Sequence, residues 1–190
     1  MNVYDFDKTI YDGDCTVDFY MYCLKKYPVI YKKIPEVLWF GLLFKLGIIA
    51  KKDFKSRFFK FATILPDLKG AVADFWSINK SKIKRFYVDT QKDDDIIISA
   101  SPTFILDEIC GLLNIKYLYA TNVDLKNGKI IGENCYGEEK VKRFYGAGFE
   151  EGSIDEFYSD SLSDSPLADI SKKAFIVIKE KIVPWEEYKK

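Results

Sequence analysis

The sequence contains no histidine. That excludes Ser-His-Asp and Cys-His catalysis, and any zinc site built on imidazole. Its four cysteines, Cys15, Cys23, Cys110 and Cys135, form no C-x-x-C pair. With no such spacing and no secretion signal, free thiols in a reducing compartment are expected. The chain enters an acidic motif almost at once, which leaves no room for a signal peptide, so a cytoplasmic location is expected. A long apolar run is missing as well. The most apolar stretch, Ile34 to Ala50, carries Glu36 and Lys45, whereas a membrane span needs ~20 mostly apolar residues. It reads as a buried or interfacial helix. There is no internal repeat, no low-complexity segment and no net charge, since 29 Lys/Arg balance 29 Asp/Glu.

What is present is the composition of a folded chain. The 190 residues are 48% apolar and 16% aromatic, enough to bury a substantial core in one domain or a domain with a sizeable insertion. The zero net charge hides a division. From Lys25 to Lys92 there are 16 Lys/Arg and 5 Asp/Glu, a balance of +11 that the remainder offsets. These lysines are either the solvated faces of helices or a basic region that attracts anions.

Hydrophobic periodicity separates two kinds of segment. Asn2 to Phe6 reads as a short buried strand. From Thr16 to about Thr90 the period is helical: Val17, Tyr20, Met21 and Leu24 share a face, as do Phe54, Phe58, Phe61 and Leu65. About four helices are predicted over residues 15–90. Ile96-Ile97-Ile98 suits a parallel strand buried on both sides. Ser101 is placed to cap a helix that Pro102 opens. Ile115 to Ala120 reads as a strand, Val123 to Ile131 as a hairpin turning at Asn127-Gly128. Glu138 to Tyr145 reads as a helix and Ile154 to Tyr158 as a strand. Asp164 or Ser165 caps a helix opened by Pro166, and Ala174 to Ile178 is the final strand. Alternating strands and helices predict an α/β fold with a mostly parallel sheet, interrupted by the helical insertion. Ligands of such sheets bind beyond the carboxyl ends of the strands.

Four short pieces fall at those ends or at helix starts: Asp5-Phe6-Asp7-Lys8-Thr9, Ser99-Ala100-Ser101-Pro102, Lys140, and Asp160-Ser161-Leu162-Ser163-Asp164. Together they supply the parts of phosphoryl transfer. Asp5 is a carboxylate nucleophile, and Asp7, two residues on, is a second carboxyl for proton transfer. Thr9, Ser99, Ala100 and Ser101 offer hydroxyl and amide donors to phosphate oxygens. Lys140 adds a cation. Asp5, the backbone carbonyl of Asp7, and Asp160 suit Mg²⁺, with Asp164 on a metal water or orienting Lys140. A calcium loop starting at Asp5 would need Gly and Glu where Ile10 and Thr16 stand.

With these residues the chain resembles the haloacid dehalogenase superfamily, and within it the phosphoserine-phosphatase-like branch with a helical cap. Asp5-Phe6-Asp7-Lys8-Thr9-Ile10 matches the first motif, Ser99 the second, Lys140 the third and Asp160-Ser161-x-x-Asp164 the fourth. The resemblance implies a Rossmann-like three-layer core of residues 1–14 and 91–190, with residues 15–90 as an all-helical cap. It implies Asp5 as nucleophile, Asp7 as acid and base, Mg²⁺ on Asp5, Asp7 and Asp160, and Ser99 and Lys140 on phosphate. Asp14 matches the acidic residue that follows the first motif and holds substrate. The sequence departs from the branch in carrying Ala100-Ser101-Pro102 where Gly-Gly usually follows the serine. Arg57 is the only arginine of the insertion before Arg85.

The expected function is a Mg²⁺-dependent phosphomonoesterase acting on a small phosphorylated metabolite. Two other readings are a phosphatase of phospholipid headgroups at a membrane surface and a non-catalytic nucleic-acid-binding module. The second of these has no need for Asp5 and Asp7 together.

Overall fold

A computed structural model describes residues 1–188. Strand β1 (Asn2–Tyr4) leads into five helices, α1 (Cys15–Lys26), α2 (Ile34–Lys45), α3 (Lys51–Phe58), α4 (Leu68–Asn79) and α5 (Arg85–Thr90), joined in part by 3₁₀ turns. The chain then alternates: β2 (Ile96–Pro102), α6 (Thr103–Leu112), β3 (Tyr117–Thr121), α7 (Glu138–Gly146), β4 (Glu156–Ser159), α8 (Ser165–Asp169) and β5 (Lys173–Ile178). A last strand, β6 (Lys181–Pro184), and a short helix, α9 (Trp185–Tyr188), follow.

The strands form one sheet in the order β3-β2-β1-β4-β5-β6. β1 to β5 run parallel, and β6 is antiparallel to β5. Side chains alternate between the two faces of each strand. Val3, Ile96, Ile98, Phe157 and Ile176 join one core cluster, while Tyr4 and Ile97 join another. The sheet is therefore buried on both sides, which explains the unbroken apolar run of β2. β1 sits centrally between β2 and β4, so their carboxyl ends open into one crevice.

The helices of residues 15–90 do not have a core of their own. Phe19, Phe59, Phe61, Phe75 and Trp76 belong to the same buried cluster as Phe6, Ile105 and Ile109. Trp76 of α4 is fully buried, stands edge-on to Phe6 and Tyr11, and donates its indole N–H to the Ile105 carbonyl at 2.7 Å. It ties the insertion to both β1's loop and α6.

Several sequence expectations change: residues 15–90 hold five α-helices rather than about four, and Asp164, the N-cap of α8, makes no side-chain cap bond. Ser101 does not cap α6: Pro102 is the N-cap and makes no side-chain cap bond, while Ser101 belongs to β2, which is irregular between Ser99 and Pro102. The hairpin at Asn127-Gly128 shrinks to a single bridge, Val123 to Ile130, because the tip docks on the insertion instead of extending. Ser56 Oγ accepts from the Ile130 amide at 3.1 Å, and a Cβ on Gly128 would lie 2.7 Å from the Lys60 nitrogen. That close approach, with φ at 77°, is why glycine is there. β6 was not expected at all.

Replacing Trp76 by Ala is expected to cost about 3–5 kcal/mol in urea unfolding, as for other large buried aromatics. Trp76→Phe should cost clearly less, since it keeps most of the packing and loses one hydrogen bond worth about 1 kcal/mol.

Candidate active site

The chain leaves β1 at Tyr4 and turns sharply. Asp5 still sits in the sheet, its amide donating to the Tyr158 carbonyl at 2.9 Å. Lys8 then adopts a left-handed φ of 57°, unusual for a residue with a Cβ. The bend is held from two sides: the Lys8 amide donates to Gly13 O at 2.8 Å, and the buried ammonium of Lys84 donates to Lys8 O at 2.5 Å. This loop turns Asp5 and Asp7 into one cavity of about 440 Å³ at the carboxyl ends of the strands. Ser99, Ala100, Ser101, Lys140, Asp160 and Asp164 line the same cavity, as does Asp14. Thr9 does not: it is fully buried, and its hydroxyl has no partner.

At the floor lies a buried ammonium between two carboxylates. Lys140 Nζ donates to Asp5 Oδ1 and to Asp164 Oδ2, both at 2.7 Å. Lys140 reaches that point because α7 is entered through its N-cap Gly137, whose φ of 58° and ψ of −128° suit glycine rather than a residue with a Cβ. Asp164 is anchored in turn by Ser159 Oγ, 2.7 Å from the same Oδ2. Its other oxygen, Oδ1, is buried without a partner. Burial works against the Lys140 ammonium, but the adjacent Asp5 and Asp164 outweigh it and hold its pKa above the ordinary lysine range. For Asp5 burial is the largest influence and outweighs Lys140; with Asp164 and Asp7 adding repulsion, its pKa is raised to about 7.

Asp7 is held separately. Its Oδ1 accepts from the Cys15 amide at 2.7 Å, and its Oδ2 from the Ser101 hydroxyl at 2.5 Å. Ser101 Oγ also shares a hydrogen bond with the Thr16 hydroxyl at 2.8 Å. Burial, then the nearby Asp14, push the Asp7 pKa up to about 6 against these hydrogen bonds. Asp14 also caps α1, accepting from the Val17 amide at 3.0 Å. Asp160 is half-buried, and its pKa too is raised, chiefly by burial. Ser99 is buried, and its hydroxyl accepts from the Ser101 amide at 3.1 Å.

The insertion contributes residues that the motif reading missed. Lys51, Phe54, Lys55 and Phe58 of α3 line the cavity wall. Lys55 Nζ donates to Ala100 O at 2.7 Å and to Asn134 Oδ1 at 2.9 Å, joining the insertion to β2. Desolvation, then Lys51, lower the Lys55 pKa to about 8. Their spacing, i, i+3, i+4 and i+7, was the available signal: both lysines share a helix face with the phenylalanines. Arg57 points elsewhere, its guanidinium 4.5 Å above the Phe40 ring and 3.9 Å from Glu36.

Both Asp5 and Asp7 bind a proton more tightly folded than unfolded, since 3.8 is the ordinary value of each. Their contribution to stability is full below that value and is lost as pH rises through 6 to 7. Metal-free protein is therefore expected to lose stability over this interval. Lys140→Met removes the partner of two buried carboxylates and should lower stability by about 3–5 kcal/mol at neutral pH, with partial recovery in acid. Urea melts at several pH values check both. A Lys140→Met deficit that does not shrink in acid would count against the charge assignment.

Residues 3–169 match the family model of haloacid dehalogenase-like hydrolases. No curated protein matches the sequence. The fold is similar to that of a protein of unknown function from Bordetella pertussis Tohama I, at TM-score 0.74 and 17% identity over 92% of this chain and 87% of that one. It is also similar to a phosphoserine phosphohydrolase-like protein from Francisella tularensis subsp. tularensis SCHU S4, at TM-score 0.58 and 19% identity over 95% and 90%. A third likeness is to the phospho-aspartyl intermediate analogue of a phosphoserine phosphatase, at TM-score 0.51 and 16% identity over 90% and 83%. By the extent of the family match, this chain belongs to the haloacid dehalogenase-like hydrolases.

Proposed function

We propose that the protein is a Mg²⁺-dependent phosphomonoester hydrolase that works through an aspartyl-phosphate on Asp5, on a small phosphorylated substrate. The observation that carries this reading is the pairing at the cleft floor: Asp5 fixed by the Lys140 ammonium at 2.7 Å, beside a second carboxyl, Asp7, raised to about 6. A cavity of about 440 Å³ is of the size that takes small ligands. Residues 15–90 act as the cap over it.

Lys140 holds Asp5 Oδ1, which leaves Oδ2 to attack phosphorus in line. The bond to the leaving oxygen breaks, and Asp7, as the carboxylic acid, gives that oxygen its proton. Asp7 is then a carboxylate and takes a proton from water. The hydroxide so formed attacks the phosphoryl group, releases phosphate and restores Asp5. Lys140 and the Ser99 hydroxyl balance charge on the transferring group. Lys51 and Lys55, which line the cavity with Phe54 and Phe58, are the cations proposed to face the leaving group.

The donor set fits a divalent cation. Asp5, Asp7, Asp160 and Asp164 line the cavity around one fully buried ammonium, so carboxylates outnumber the cation at the floor, and burial, with repulsion from Asp164 and Asp7 added, raises Asp5. Among the described residues no three acidic or thiol side chains are grouped as a metal site, and both side-chain oxygens of Asp7 already have donors. The ligands proposed are accordingly the carboxylates of Asp5 and Asp160 with the Asp7 carbonyl, while the unpaired Asp164 Oδ1 suits a water of the ion. Bound there, Mg²⁺ would screen the repulsion between carboxylate and phosphate.

Asp5→Asn is expected to abolish turnover on a panel of phosphomonoesters with Mg²⁺ while melting close to the parent. Asp7→Asn should lower alkyl-phosphate turnover by roughly 10²–10⁴. With 4-nitrophenyl phosphate, whose leaving group needs no proton, Asp7→Asn should still release one burst of nitrophenolate per enzyme and then stall. Retained turnover in Asp5→Asn would overturn the nucleophile assignment.

A further inference from the structure

Helix α2 is out of place in water. None of its twelve residues is buried. One side is seated: Phe44 stacks on Phe54 of α3 at 5.4 Å, and Phe40 lies under Arg57. The opposite stripe runs Pro35, Leu38, Trp39, Leu42, Leu46, at i, i+3, i+4, i+7 and i+11. A surface helix carries polar residues there. Here Leu38 is 68% exposed, Trp39 58% and Leu46 62%, and Ile48 just beyond is 64% exposed. These are neighbours on one face, not scattered singles.

The charge around the stripe is of one sign. Between Pro28 and Lys52 there are five lysines and a single acid, Glu36. Glu36 is already neutralised by Lys60 at 2.9 Å and Lys33 at 3.4 Å. Lys32 and Lys45, at the two ends of α2, are exposed, and they make none of the ion pairs found among the described residues. Apolar side chains with a tryptophan, framed by unpaired lysines, complement anionic headgroups above an acyl layer.

We propose that α2 is a docking surface for an anionic phospholipid bilayer, with Leu38, Trp39, Leu42 and Leu46 entering the interface and Lys32 and Lys45 on the headgroups. A second copy of this chain fits the face less well, because two basic stretches, each +11 from Lys25 to Lys92, would be brought together. A twelve-residue helix is about 18 Å long, short of the ~30 Å hydrocarbon layer. It therefore lies in the interface. No described helix is long and apolar enough to cross a membrane. Because α2 packs on α3, docking brings the wall that holds Lys51 and Lys55 close to the bilayer. The surface stands on its own residues and does not depend on the reaction at Asp5.

The full chain is sedimented with vesicles of phosphatidylcholine alone and of phosphatidylcholine with phosphatidylglycerol. Binding is expected on the anionic vesicles at low salt, weaker on the neutral ones by roughly tenfold or more, and weakened by added salt. The triple variant Leu38→Gln, Trp39→Gln, Leu42→Gln and the double variant Lys32→Glu, Lys45→Glu should each lose it with melting unchanged. Asp5→Asn should bind as the parent does, which separates docking from catalysis. Absence of binding at low salt, or binding that the triple variant retains, overturns the proposal. So does a dimer in sedimentation velocity that the triple variant dissociates, which would make a second copy the occupant.

Discussion

One buried ammonium organises this site. Lys140 is 2% exposed and touches two carboxylates that are distant in sequence, Asp5 and Asp164. An unpaired lysine at that depth would lose its charge, and the carboxylates would lose theirs. The three therefore stand or fall together. Their meeting requires that β1 and β4 be neighbours and run parallel, so that the loops carrying Asp5 and Asp164 leave the sheet at the same edge. It also requires the glycine turn before α7. The order of the central strands and the position of Gly137 are conditions for one short ion-pair triad.

The triad does not balance the site. Asp7 and Asp160 add to Asp5 and Asp164, and burial weakens the screening that water would give. Burial first, with this repulsion added, raises Asp5, Asp7 and Asp160 toward neutrality, which is where a proton-transfer group is useful. Asp7 is distinguished from Asp5 by its partners: Asp5 leans on a cation, Asp7 on a backbone amide and a hydroxyl. Two carboxylates two residues apart are thus prepared for different work by their surroundings.

Much of this was legible in the sequence. The β-branched run at Ile96 announced a buried parallel strand, and the helical period of residues 15–90 announced the insertion between β1 and β2. Asp5, Asp7, Ser99, Lys140, Asp160 and Asp164 do line one cavity. What was not legible depended on contacts across the chain. Thr9 and Ser101 both looked like ligand donors, but the Lys8 bend buries one and Asp7 takes the hydroxyl of the other. Lys55 was one of many lysines in the basic stretch, and nothing singled it out until α3 was placed beside Ala100. Arg57, one turn from the cleft-facing row, is on the wrong side. β6 escaped notice because it is a short edge strand ending in proline, reached through a turn at Lys179 (φ 54°) without the usual Asn-Gly signal.

The exposed stripe of α2 shows a different limit. Its apolar character was plain, and burial was one natural reading. Only the structure shows that this side of the helix has no partner within the chain.

The central claim is that Asp5 carries the phosphoryl group. It is tested most directly by mixing the enzyme with a phosphomonoester and Mg²⁺, quenching in acid, and locating any added phosphoryl group by mass spectrometry of the digested chain. The expected result is one hydroxylamine-labile phosphoryl group on the peptide containing Asp5, absent in Asp5→Asn. A phosphoryl group on another residue, or product formation in Asp5→Asn at the parent rate, would contradict the account.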